Sequence, residues 1–158
     1  METKEQALTK AHGPNSRRTI EYSYVMKGIL DDAKLPGFTD AQWDPLGDLV
    51  NIPRFERTGN FMEVVNWQQY VPLLSTWSKA TGWTFDVRRI TEGEGYAILE
   101  LTEHADYPDR QETYNSVSIY EFDDDGKLVR LGIFLQMKAP PEANQAHQWD
   151  LEGVGAQS

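Results

Sequence analysis

Four long strands in succession, reached only after the helices have been used, limit this chain more than any other feature. Alternation of apolar and polar residues marks strands over residues 83–91, 95–106, 111–122 and 127–137. They are joined at Glu92-Gly93-Glu94-Gly95 and at Asp123-Asp124-Asp125-Gly126, both of which read as hairpin turns. A meander of such length cannot bury its apolar face alone. The helices that precede it must supply the cover, so the chain is expected to be α+β. A cone-shaped, strongly curved mixed or antiparallel sheet would wrap around three helices from the N-terminal half and leave an open-ended pocket between them.

Residues 1–15 are polar, end in Gly13-Pro14, and read as a flexible arm. Asn15 or Ser16 caps a first helix running to about Ala33, with Tyr22, Val25, Met26 and Ile29 on one stripe. Thr39-Asp40-Ala41-Gln42 opens a short second helix. Residues 49–55 and 61–65 read as a strand pair about Thr58-Gly59-Asn60. Asn66 caps a third helix that places Trp67, Tyr70, Leu74 and Trp77 on one side and carries Pro72 one turn in. Residues 16–138 therefore form the domain, and residues 139–158, with Trp149 as their one aromatic, read as a tail.

A length of 158 residues suits one domain with a core of its own. With no cysteine, disulfide and thiolate chemistry are excluded. The net charge of −10 argues against nucleic acid and anionic membrane as partners, since both call for a positive footprint. No apolar run reaches the length of a membrane span and residues 1–16 are too polar for a signal peptide, so a cytoplasmic location is expected.

Sorting the strands by face puts Ala97, Leu99, Leu101 and Glu103 together, and likewise Val129, Leu131, Ile133, Leu135 and Met137. Both sets should line the concave side. The opposite face carries Ile98, Leu128 and Phe134, too apolar for water, and a homodimer interface would cover it.

The order helix, helix, strand pair, helix, strand meander, with the Asp125-Gly126 hairpin, resembles the nuclear-transport-factor-2-like superfamily. That group includes ketosteroid isomerase, limonene epoxide hydrolase, scytalone dehydratase and the SnoaL-like polyketide cyclases. Residues Glu112-Thr113-Tyr114-Asn115-Ser116-Val117-Ser118-Ile119-Tyr120-Glu121-Phe122, followed by Gly126-Lys127-Leu128, are similar to two strands of limonene epoxide hydrolase. Tyr107-Pro108, with Trp77 and Trp83 before it, is similar to the small phenazine-biosynthesis members.

This resemblance implies a cofactor-independent enzyme working by acid–base chemistry on a hydrophobic, aromatic or polycyclic small molecule: an isomerase, dehydratase, cyclase or retro-aldol lyase. Of the Asp-Arg-Asp set of limonene epoxide hydrolase, the arginine position falls on Leu101, one aspartate on Ile133 and the other on Glu103. Two of the three groups are thus replaced by apolar ones, and epoxide hydration is the alternative rather than the leading reading. A non-catalytic binding module is the other. The oxyanion-donating tyrosine of ketosteroid isomerase compares with Tyr24, with Tyr22 as near neighbour.

Glu103 is the strongest candidate for proton transfer. A carboxylate among apolar residues has a raised proton affinity, whereas one at the strand's rim would simply be solvated. His104 and Asp106 share the other face; a local bulge would turn His104 inward, and otherwise it stands exposed. Tyr114, Ser116, Ser118 and Tyr120 point one way, inward by the resemblance, and could hydrogen-bond a carbonyl or phenol. A register shifted by one would place Val117 and Ile119 there instead. Trp43, Trp67, Tyr70 and Trp77 supply either aromatic walls for a flat ligand or ordinary core. No metal site is expected: His104 aside, the histidines are His12 and His147 in the two tails.

Overall fold

The computed structural model describes residues 1–138. The tail at 139–158 lies outside the described residues. Helices α1 (Lys4–Leu8), α2 (Pro14–Asp32), α3 (Asp44–Gly47) and α4 (Trp67–Ala80) precede or interrupt a six-stranded mixed sheet. Its strands are β1 (Glu56–Thr58), β2 (Val64–Val65), β3 (Gly82–Gly93), β4 (Tyr96–Asp106), β5 (Gln111–Phe122) and β6 (Leu128–Gln136), in the order β2-β1-β6-β5-β4-β3. All neighbours are antiparallel except β1 and β6.

The hairpins form where the sequence supplies glycine for a left-handed backbone. Gly95 has φ +76° and Gly126 φ +74°. The second turn is closed by Asp123, whose Oδ1 accepts the backbone N–H groups of Asp125 and Lys127. Helix α4 starts at a reciprocal cap: Asn66 accepts the Gln69 N–H at 3.0 Å and Gln69 returns the bond to the Asn66 N–H at 3.0 Å. Its buried residues Trp67, Tyr70, Leu74 and Ser78 recur at helical spacing, while Pro72 faces water.

Helix α2 starts at Pro14 with Gly13 as its cap residue, two positions before Asn15 and three before Ser16, the expected caps. Glycine has no side chain to offer, and Glu92 on β3 takes over. Its carboxylate accepts the Ser16 N–H and Oγ–H, each at 2.6 Å. Partial burial opposes that charge, but the Ser16 bonds prevail and hold the carboxyl below its ordinary range.

The N-terminal segment is docked rather than free. Thr3 and Gln6 cap α1 reciprocally, and Ala7 is fully buried. Strand β3 is the sheet's edge, and a register shift at Val87/Arg89 interrupts its ladder. There Glu2 accepts the Val87 N–H at 2.6 Å, Lys10 Nζ donates to the Val87 carbonyl, and Lys10 pairs with Glu2 at 2.8 Å. The arm thereby satisfies an edge that would otherwise be open to another strand.

One facial assignment is corrected. Phe122 pairs with Leu128 and Glu121 with Arg130, which leaves Val129 as the extra residue of a bulge. The bulge reverses the alternation, so Leu128 is 0% exposed and Val129 only half-buried. Beyond it Leu131 and Ile133 return to the inner face as expected. Phe134 (57% exposed) and Val117 stand on the opposite face with the half-buried Ile98 and Ile119.

Candidate active site

The inner faces of β4, β5 and β6 and the facing sides of α2 and α4 enclose a cavity of about 320 Å³, at the small end of the range for ligand pockets. Its walls are mostly apolar, with Met26, Leu74, Trp77, Leu101 and Ile133 among them. Polar groups enter at a few points.

Glu103 is one of them. Strand β4 alternates strictly, with Ala97, Leu99, Leu101, Glu103 and Ala105 buried, so the carboxyl is carried inward by the same periodicity that builds the core. It is 9% exposed. The indole N–H of Trp83 donates to its Oε2 at 2.6 Å. Burial is the largest influence and raises the proton affinity of Glu103 above the ordinary carboxylate value; the nearby Ser116 hydroxyl, the Trp83 N–H and the nearby Tyr114 hydroxyl offset this in part.

The β4–β5 register decides the hydroxyl row. Glu103 faces Tyr114, Leu101 faces Ser116, Leu99 faces Ser118 and Ala97 faces Tyr120. Ser116, Ser118 and Tyr120 are therefore buried, and Val117 takes the outer face. Tyr114, Ser118 and Tyr120 line the cavity; Ser116, opposite Leu101, is buried without lining it. Burial, then the charge of Glu103, pushes the Tyr114 hydroxyl well up, and burial does the same to Tyr120, so both stay protonated donors.

Tyr22 and Tyr24 part company. Tyr22 lines the cavity, edge-on to Tyr120 at 5.7 Å between ring centroids, and burial keeps its hydroxyl protonated. Tyr24 packs on Phe85 and donates its hydroxyl to the Glu2 carbonyl at 2.9 Å, away from the cavity. Burial, then the nearby Glu2, pushes its pKa to about 12. The expected oxyanion role of Tyr24 is therefore corrected: the docked arm occupies that hydroxyl.

His104 stays on the outer face because β4 runs against β5 without a bulge, and its Nδ1 lies 3.0 Å from Thr113 Oγ1. Trp43 and Trp67 are also outside the cavity. Trp43 is buried with its N–H given to Ser75 Oγ at 2.8 Å, and Trp67 packs on Phe55 and Tyr70. They are core aromatics, and the ring walls are Trp77 and Trp83, 6.0 Å apart.

Arg57 was not singled out from the sequence. It sits on the three-residue β1, opposite Leu131 of the parallel β6, and reaches the cavity with its Cζ 5.4 Å from the Tyr70 ring centroid. A strand this short shows no periodicity, so the only available hint was a charge set between Phe55 and Thr58. Among the described residues no three His, Cys, Asp or Glu side chains gather as a metal-ligand set, and no helix is long and apolar enough to cross a membrane.

No family model matches the sequence, and no curated protein matches it. Solved structures do match. An NTF2-like protein of unknown function from Cytophaga hutchinsonii has a TM-score of 0.55 at 11% identity, over 80% of this chain and 94% of its own. A protein provisionally assigned as a SnoaL-like polyketide cyclase, from Shewanella putrefaciens, has a TM-score of 0.61 at 8% identity, over 91% and 90%. An epoxide hydrolase of the limonene type from Mycobacterium tuberculosis has 0.55 at 12% identity, over 87% and 94%. At such identities the likeness shows the fold alone: this chain has the NTF2-like fold.

Proposed function

We propose that this chain is a cofactor-independent enzyme that moves a proton on a small, hydrophobic, ring-bearing molecule. The observation that carries this reading is Glu103: a carboxyl of raised proton affinity on the wall of an otherwise apolar cavity, clamped by the Trp83 N–H and flanked by the Tyr114 hydroxyl. The fold has no use for a charge there.

In the mechanism we propose, the Glu103 carboxylate takes a proton from the carbon next to a ring carbonyl. The C–H electron pair moves into the C–C bond and the carbonyl π pair onto oxygen. Tyr114, held protonated, donates a hydrogen bond to that oxygen. Glu103 then returns the proton to another carbon, which is isomerisation, or gives it to a departing hydroxyl, which is dehydration. Trp77 and Trp83 hold the ring. Ring closure and retro-aldol cleavage use the same acid and the same oxyanion donor. Hydration of an epoxide in the limonene manner finds no support at positions 101 and 133, where leucine and isoleucine line the cavity. The raised proton affinity of Glu103 favours an enzyme over a module that only binds.

The test uses 2-tetralone, an enolisable apolar ketone, in deuterated buffer. The protein should speed deuterium entry at the carbons beside the carbonyl, and Glu103→Gln should slow it by about 10²-fold, the usual loss for a general acid or base. Equal exchange with and without the carboxylate would sink the reading.

A further inference from the structure

The cavity has a second polar end that proton transfer at Glu103 leaves unused. Tyr114 and Tyr120 are six residues apart on β5, so their backbone positions lie roughly 20 Å apart along the strand. Glu103 faces Tyr114. At the other end Tyr120 pairs with Leu131, and Leu131 with Arg57, so Arg57 and Tyr120 share one line across the sheet. Tyr22 and Tyr70, both buried, complete this end.

Two donors there are left over. The Tyr22 hydroxyl, on a side chain 2% exposed, has no hydrogen-bond partner among the described residues, and neither has the buried Nε–H of Arg57. The Tyr70 hydroxyl, kept protonated by burial, lies close to both Tyr22 and the Arg57 guanidinium. A buried donor without an acceptor costs free energy, and here the donors converge on one end of a cavity around a permanent cation. Among the described residues the one carboxylate that reaches Arg57 is Glu63, at 3.4 Å from Nη1 and on the exposed side. That long contact leaves the inward Nε–H open.

We infer that the Arg57, Tyr22 and Tyr70 end of the cavity is a carboxylate subsite, and that the substrate is a ring-bearing monocarboxylate. This rests on the cavity's being the substrate site proposed above. A planar guanidinium edge and phenolic O–H groups match the two oxygens of a carboxylate. The protein as a whole repels anions at −10, so only a local cation of this kind could hold one. The arrangement also sets direction: with the carboxylate at Arg57, the ring lies between the tyrosines and Trp77, and its far side reaches Glu103.

Binding, read separately from turnover, tests this. Using 2-naphthoate and the isosteric 2-naphthamide, quenching of Trp77 and Trp83 fluorescence and calorimetry give both affinities. The wild type should prefer the carboxylate by about tenfold or more. Arg57→Gln should erase that preference while leaving amide affinity unchanged, and Arg57→Lys should keep part of it. Glu63→Gln, which releases the guanidinium from its outer partner, should strengthen carboxylate binding, and it serves should Arg57→Gln fail to fold. Equal affinity for the two ligands, no saturable naphthoate binding, or a preference unmoved by Arg57→Gln or Glu63→Gln would overturn the subsite. Glu103→Gln separates the two proposals: it should slow proton exchange by about 10²-fold yet leave the naphthoate preference in place.

Discussion

Replacing Glu103 with glutamine should stabilise the protein at neutral and alkaline pH while removing its chemistry. Glutamine retains an oxygen to accept the Trp83 N–H and has no charge to desolvate. Because burial raises the proton affinity of Glu103, the native state binds this proton more tightly than the unfolded chain does. Stability then falls as the pH rises from the ordinary carboxylate value through the folded one, and the penalty is complete above it. Each unit of difference corresponds to about 1.4 kcal/mol. The Trp83 N–H and the nearby Ser116 and Tyr114 hydroxyls return part of the desolvation cost, so the net gain for the variant at pH 8 should be on the order of 1 kcal/mol. Below the ordinary carboxylate range both states are protonated and the gain disappears. Urea unfolding at several pH values, with the slope m unchanged between proteins, reads this directly. A variant less stable than wild type by the same amount at every pH would refute the reasoning, since the carboxylate would then be a stabilising partner of Trp83 and not a buried charge held against its preference.

Glu2→Ala should cost about 1–2 kcal/mol, because it strands the Val87 N–H and Lys10 at the sheet edge, and should make the protein aggregate more readily on warming. Glu92→Ala should cost about 1–2 kcal/mol at pH 7 by uncapping α2; since folding lowers that carboxyl's pKa, the cost should vanish as the pH falls through its folded value. We propose that the outer face bearing Phe134, Val117 and Ile98 pairs two copies of the chain. Sedimentation at micromolar concentration should then show twice the chain mass and Phe134→Glu should shift it to the monomer; a wild-type monomer would defeat this.

The hairpins and the long strands were legible because glycine at 95 and 126 fixes the turns and strict alternation then fixes the faces. The same alternation carried Glu103 inward. What it could not reveal was any event that breaks the period, such as the bulge at Val129 that exchanges it with Leu128. Nor does a face specify how far along the strand the cavity extends. Trp43 and Trp67 were as aromatic as Trp77 and Trp83, and only the packing of α4 separates core from wall. The docking of residues 1–12 was hidden for another reason. It depends on Glu2 and Lys10 meeting a strand edge some eighty residues away, and polar side chains satisfying a backbone leave no hydrophobic pattern to read.

The cavity exists because α4 stands away from the strands it faces. It packs on α2, on the turn at Asp40–Trp43 and on the β1–β2 hairpin, and its longer side chains, Tyr70, Leu73, Leu74 and Trp77, reach into the cavity. A chain selected only for stability would fill such a gap with aliphatic side chains, each worth about 1.5–3 kcal/mol on burial. Here the gap is ringed instead by Tyr22, Tyr70, Tyr114, Tyr120, Arg57 and Glu103. The Tyr22 hydroxyl and the Arg57 Nε–H lack a partner among the described residues, and the Glu103 carboxyl is burdened by its burial. Unsatisfied buried polar groups are scarce in folded proteins and lower stability wherever they occur. That two of them border one void, with a carboxyl at one end and a guanidinium at the other, departs from what packing alone would produce. That departure is why the functional reading is sought in this cavity.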